Sequence, residues 1–189
     1  MTMRTTLWVS IFINIVLLLV VIFRDETIIY ENKVSLDQFF VGETIPELKS
    51  SHPGITFYYI FKYGNCPSCR EEVFFINMLY HEFKTDIHFV GIMSYCGDDA
   101  MQERFLKGTG LKINDILFDN HFEKWTDYGF TSFPLKVICD SEGTILFADS
   151  TLYIPGDETG KSLCAGLKRF LKNVILNQKI KKKVVVERG

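Results

Sequence analysis

The stretch Ile55-Thr56-Phe57-Tyr58-Tyr59-Ile60-Phe61 constrains this chain more than any other. It is continuously apolar and aromatic with no regular polar alternation, the pattern of a strand covered on both faces. Shortly after it, Pro67 to Lys84 carries Val73, Ile76, Met78, Leu79 and Phe83 at helical spacing. A buried strand that runs straight into an amphipathic helix is the opening unit of a layered α/β domain.

The rest of the chain continues that pattern. Ile87 to Met93 reads as a second buried strand, followed by a helix from about Asp98 to Lys107. A short strand is expected at Ile116-Leu117-Phe118, then a brief helix around His121–Tyr128. Pro134 to Cys139 and Thr144 to Ala148 read as strands, and Asp140-Ser141-Glu142-Gly143 between them has hairpin composition. An amphipathic helix from Asp157 to about Asn177 closes the domain, with Leu163, Leu167, Phe170, Leu171 and Val174 on one face. A β-α-β half followed by a β-β-α half implies a central mixed sheet flanked by helices. With 189 residues, 47% of them apolar, the chain can bury such a core without staples. A formal net charge of -2 offers no basic footprint for nucleic acid.

Cys66-Pro67-Ser68-Cys69 lies where the first strand meets the first helix. Pro67 suits the first helical position, since its missing N–H would have been unpaired there anyway. Cys66 then sits at the helix N-terminus, where free amides and the dipole favour a thiolate. Cys69, one turn on, is within reach of a disulfide. A structural zinc site or a pair of inert core thiols are the competing readings. Zinc needs four ligands, and the sequence has no second C-x-x-C and no close H-x-x-x-H. No metal and no cofactor is expected. The five cysteines are too sparse for a disulfide scaffold.

Leu7 to Phe23 is an uncharged apolar run with Arg4 before it and Arg24 after it. At about 1.5 Å per residue it reaches about 25 Å, near the lower limit for a bilayer span. It is read as an N-terminal membrane anchor over residues 1–23; a cleaved signal sequence, with the domain secreted, is the alternative. Residues 24–41 read as a juxtamembrane spacer, 42–178 as the domain and 179–189 as a basic tail. The short N-terminal tail suggests an extracytoplasmic, periplasmic domain, although the flanking positive charges are nearly tied.

The order of these motifs resembles the thioredoxin superfamily, and more narrowly its TlpA/ResA-like membrane-anchored thiol–disulfide oxidoreductases. The likeness runs from about Gly42 to Val174. It rests on Gly42-Glu43-x-Ile45-Pro46, on strand–C-x-x-C–helix, on Tyr128 to Pro134, and on the Ile138-x-Asp140-x-x-Gly143-x-Ile145 hairpin. The resemblance implies a redox-active Cys66–Cys69 disulfide exchanging with protein substrates, with reduction the favoured direction and a membrane electron-donor protein as its supply. It implies a thioredoxin-like fold and a cis-proline at Pro134, with Phe133, Pro67 and Ser68 contacting substrate. Glu72 completes the C-x-x-C-x-x-E pattern of that group, where the glutamate tunes the cysteine pair; a solvated acid near a helix start is the plain alternative. The departures are Asn65, where many relatives carry tryptophan, and Phe74, where the group often has proline. The rival functions are a thioredoxin-fold binding or assembly protein with structural cysteines and, more remotely, a thiol peroxidase.

Cys139 and Cys164 are read as small core residues, with a disulfide between them as the alternative. Cys96, after a strand end, is the better candidate for an accessible third thiol. The histidines at 52, 81, 88 and 121 show no ligand spacing. Lys179, Lys181, Lys182 and Lys183 read as a solvated helix end, with contact to a membrane surface as the alternative.

Overall fold

The computed structural model describes residues 40–64, 67–154, 156 and 158–186, with Ser68 and residues 181–186 described through their backbone alone. The expected anchor at Leu7–Phe23 and spacer residues 24–39 lie outside these residues. Among the described residues, no helix is long and apolar enough to cross a membrane.

The elements are β1 (Ile55–Phe61), α1 (Pro67–Phe83), β2 (Ile87–Ser94), α2 (Asp99–Thr109), β3 (Asp115–Asp119), α3 (Lys124–Asp127), β4 (Leu135–Cys139), β5 (Ile145–Asp149) and α4 (Glu158–Val186), preceded by a 3-10 turn at Pro46–Leu48. They form one five-stranded sheet in the order β3-β2-β1-β4-β5. β2 runs parallel to β1, and β3 to β2, while β4 runs antiparallel to β1 and β5 to β4. This is the mixed sheet expected from the sequence. β1 takes its centre because every one of its side chains is buried.

Two cores form, one on each face of the sheet. Phe57, Tyr59 and Phe61 of β1 pack with Phe75, Ile76 and Leu79 of α1 and with Leu167 and Leu171 of α4. Tyr58 and Ile60 face the other way, toward Leu48, Phe122, Trp125 and Phe130. At about 25 cal/mol per Å² of apolar area removed from water, burial on both faces makes β1 a substantial contributor to the fold.

Packing of the domain begins before Gly42. The ring of Phe40, assigned from sequence to the spacer, stands 4.4 Å from that of Phe130. The lead-in segment then runs beside the β5 end of the hairpin, with Ile45 N–H donating to the Gly143 carbonyl at 3.2 Å and Ile145 N–H to that of Glu43 at 2.8 Å.

Helix α4 continues to Val186 instead of ending near Asn177, so it passes through residues read as a tail. No glycine or proline interrupts it there, and its lysines find acids on and just after α1. Lys168 and Lys172 reach Glu82 at 2.8 and 3.1 Å, and Lys179 reaches Asp86 at 2.8 Å. Lys179 is therefore committed to an ion pair. Cys139 and Cys164 are both free thiols, so no disulfide joins them.

Candidate functional site

The C-terminal end of β1 delivers the chain to α1. The loop between them is tied to the end of β2, where Tyr63 N–H donates to the Ser94 hydroxyl at 2.7 Å. Helix α1 starts at Pro67, as the motif leads one to expect. Cys69 lies in its first turn, 2% exposed and disulfide-bonded. Asn65 and Cys66 lie outside the described residues.

Antiparallel pairing brings a second segment to the same end of the sheet. Leu135 stands opposite Ile60 in the register, so Pro134, just before it, lies level with the end of β1. The Phe133–Pro134 peptide is cis. The Phe133 ring packs 4.8 Å from that of Phe122, and Lys62 Nζ sits 5.0 Å from its centroid. Pro67 is exposed beside Cys69, and Phe74 further along α1 leaves 63% of its surface open. One end of the domain thus gathers Pro67, Cys69, Phe133 and Pro134.

Glu72 is buried, so its reading as a solvated acid does not hold. One turn beyond Cys69, it points inward with no exposed surface. Its Oε1 accepts hydrogen bonds from Lys136 Nζ at 2.8 Å and from the Tyr153 N–H at 2.9 Å. Oε2 is buried and, among the described residues, has no donor within hydrogen-bonding distance. Burial pushes the Glu72 carboxyl above its ordinary range, against the pull of Lys136.

Lys136 is fully buried as well. It sits opposite Tyr59 in the β1–β4 register, and its ammonium also donates to the Thr151 carbonyl and lies 4.8 Å from the centre of the Tyr153 ring. The Tyr59 hydroxyl donates to the Cys69 carbonyl at 3.4 Å. Burial first, then the nearby Glu72 charge and the pull of that carboxylate on the phenol proton, hold the Tyr59 phenol well above its usual range. Tyr153 stacks on Phe75 at 5.4 Å, and its hydroxyl donates to Asp149. The inner wall of the cysteine site is a connected polar cluster within an apolar core.

Sequence reasoning singles out Glu72 but misses Lys136, Tyr59, Tyr153 and Asp149. A signal for Lys136 is present. Within Leu135-Lys136-Val137-Ile138-Cys139 it is the sole charge in an otherwise apolar strand, and a lysine buried there requires an acid. Cys96, half-buried, donates from Sγ to the Asp98 carbonyl at 3.3 Å.

No family model and no curated protein matches the chain. Among solved structures, it is similar to the solution structure of a thiol:disulfide interchange protein from Bacteroides sp., with 18% identity, a TM-score of 0.51, and coverage of 68% of this chain and 78% of that one. It is also similar to a thioredoxin-like protein solved in the oxidized form, at 15% identity and a TM-score of 0.50 over 72% and 86% of the two chains. An uncharacterized thioredoxin-like protein from Porphyromonas gingivalis matches at 16% identity and a TM-score of 0.50, over 67% of this chain and 78% of that one. Likeness at this level of identity bears on architecture, and the described residues form a thioredoxin-like domain similar to that of the thiol:disulfide interchange proteins.

Proposed function

We propose that this chain is a thiol–disulfide oxidoreductase working through Cys66 and Cys69 on protein substrates. The observation that carries this reading is Cys69, buried in the first turn of α1 and disulfide-bonded. Cys96, Cys139 and Cys164 are free thiols, which supports Cys66, three residues before Cys69 in the C-x-x-C motif, as its partner. The cis Phe133–Pro134 peptide at the same end of the sheet supports a substrate seat there, with Phe133, Pro67 and Ser68 as its contacts.

In the reducing direction, the Cys66 thiolate attacks one sulfur of a substrate disulfide. The substrate S–S bond breaks, a Cys66–substrate disulfide forms, and the released thiolate takes a proton. Cys69 then loses its proton and attacks Cys66 Sγ. That forms the Cys66–Cys69 disulfide and frees the second substrate thiol, so two electrons have passed to the substrate. Glu72, one turn away, is the group suited to accept the Cys69 proton. An external dithiol donor must reset the pair. The apolar run Leu7–Phe23 supports a membrane tether with the domain outside the cytoplasm, facing substrates near the membrane surface and a membrane electron donor.

The test is the redox equilibrium of the full chain against glutathione and dithiothreitol, with Cys69→Ala as control. A reversible two-electron couple that Cys69→Ala abolishes is expected. A potential near -270 mV, roughly thioredoxin's, supports a reductase, and a much more oxidising one an oxidase. Absence of any such couple overturns the reading and leaves a binding or assembly protein.

A further inference from the structure

Resting on the oxidoreductase reading, we propose that Lys136 is a positioning residue of the redox centre: it holds Glu72 as an ionised carboxylate against the first turn of α1, ready to collect the proton that Cys69 releases.

Three observations converge on this role. Lys136 is a fully buried ammonium in the strand beside β1, where an apolar residue would normally be at least as stable. Two of its three donors are committed, to Glu72 Oε1 at 2.8 Å and to the Thr151 carbonyl, while its charge lies over the Tyr153 ring. It is therefore fixed in place. Finally, among the described residues both hydrogen bonds to Glu72 go to Oε1, from Lys136 and from Tyr153 N–H, and no donor stands within hydrogen-bonding distance of the buried Oε2, the Tyr59 hydroxyl being the nearby group that interacts with this carboxyl. An oxygen so placed is an open acceptor for a proton.

The groups that face Glu72 are few. Tyr59 comes from β1, Lys136 from β4, Asp149 from β5, Tyr153 from the segment beyond it, and Cys164 from α4. Lys136 is the cation whose attraction and hydrogen bond oppose the effect of burial on Glu72. Without it, burial would push the Glu72 carboxyl further toward its neutral form, which cannot take up a proton.

Lys136 also stands two residues after Pro134 on the strand that carries the proposed substrate seat. A substrate that shifts the start of β4 would act on the cation that holds the acid.

The reduction potential of the Cys66–Cys69 couple in the full chain is measured by glutathione equilibration from pH 5 to 9, for the native protein, Lys136→Met and Lys136→Arg. The native curve should change slope where Glu72 exchanges its proton with the couple. In Lys136→Met that break should move up by about 1–3 pH units, the usual effect of one close opposite charge on a carboxylate. Lys136→Arg, which keeps the charge, should return it toward the native position. A break that stays put in a folded Lys136→Met, or a native curve without one, overturns the inference. If the native chain shows no two-electron couple, the oxidoreductase reading itself fails and this role falls with it. Should Lys136→Met not fold, isotope-edited infrared absorption of Glu72 in the native chain decides: an ionised carboxylate at neutral pH is required, and a protonated one refutes the proposal.

Discussion

Lys136 Nζ lies 2.8 Å from Glu72 Oε1, and neither side chain reaches solvent. The two residues come from different elements, α1 and β4, so the pair also clamps helix to sheet. Desolvating two charges offsets much of their attraction, and a buried pair is a poor source of net stability. Removing one partner is another matter, because the survivor is then an uncompensated charge in an apolar core. Glu72→Leu alone should lose about 3–5 kcal/mol in urea unfolding. The double variant Glu72→Leu with Lys136→Met should recover most of that loss. Equal losses in the single and double variants would show that the two charges are not coupled.

The pH dependence of stability should carry the sign of Glu72. Its carboxyl is raised in the folded chain, chiefly by burial, from an ordinary value of 4.5. Between that value and the raised one, the folded protein binds the proton that the unfolded chain has lost. Stability from this group is therefore present at low pH and declines as pH rises through the window. Glu82 has the opposite sign, because Lys168 and then Lys172 hold its carboxyl down. Its contribution exists above its unfolded value and fades on acidification. Relative to the Glu72→Leu/Lys136→Met double variant, the native chain should lose stability as pH is raised above about 4.5, through the raised folded value. A difference independent of pH over that range would sink this assignment.

Gly143 and Gly108 should respond to alanine in opposite directions. Gly143 ends the β4–β5 turn at a φ of +82°, and an added Cβ would stand 2.7 Å from the Ile45 carbonyl oxygen and 3.0 Å from Lys49 N. Those contacts are backbone and cannot swing aside. Gly143→Ala should cost about 1–3 kcal/mol, from strain and from loosening the lead-in segment. Gly108 lies within α2, and a methyl group added there would meet nothing within 4 Å. Gly108→Ala should gain up to about 1 kcal/mol through helix propensity. Thermal melts of the two variants at one pH compare them directly.

Much of this architecture is legible from local pattern. The uninterrupted apolarity of Ile55–Phe61 places β1 at the centre, because only a central strand buries both faces. Motif order places Pro134 opposite the cysteine end without any knowledge of strand pairing. Spacing finds Glu72 but not its burial, since a polar residue near a helix start is equally at home in water. Lys136 stands out as a lone charge in an apolar strand, but its partner is far away in sequence, and only the packing of α1 on the sheet brings the two together. Tyr153 lies in an irregular segment where periodicity carries no information. The end of α4 is obscured for a related reason: Lys179 stays largely solvated, and its ion pair with Asp86, just after α1, is visible only once the helix is packed.

The three free cysteines should separate cleanly by reactivity. Burial pushes the Cys139 thiol up to about 12 and the Cys164 thiol up to about 11, with Glu72 adding to the effect on Cys164. Both side chains lie within the two cores. Cys96 is half-buried at the end of β2, on the loop leading into α2. Alkylation requires a thiolate that the reagent can reach. At pH 8, with the Cys69 disulfide left intact, iodoacetamide should modify Cys96 at least about 100-fold faster than either buried thiol. Guanidinium should bring Cys139 and Cys164 up to the rate of Cys96. Peptide mass spectrometry after a timed quench reads all three at once. Labelling of Cys139 or Cys164 in the folded chain as fast as Cys96 would place that thiol at the surface and contradict the packing of β4 or α4 against the sheet's two cores.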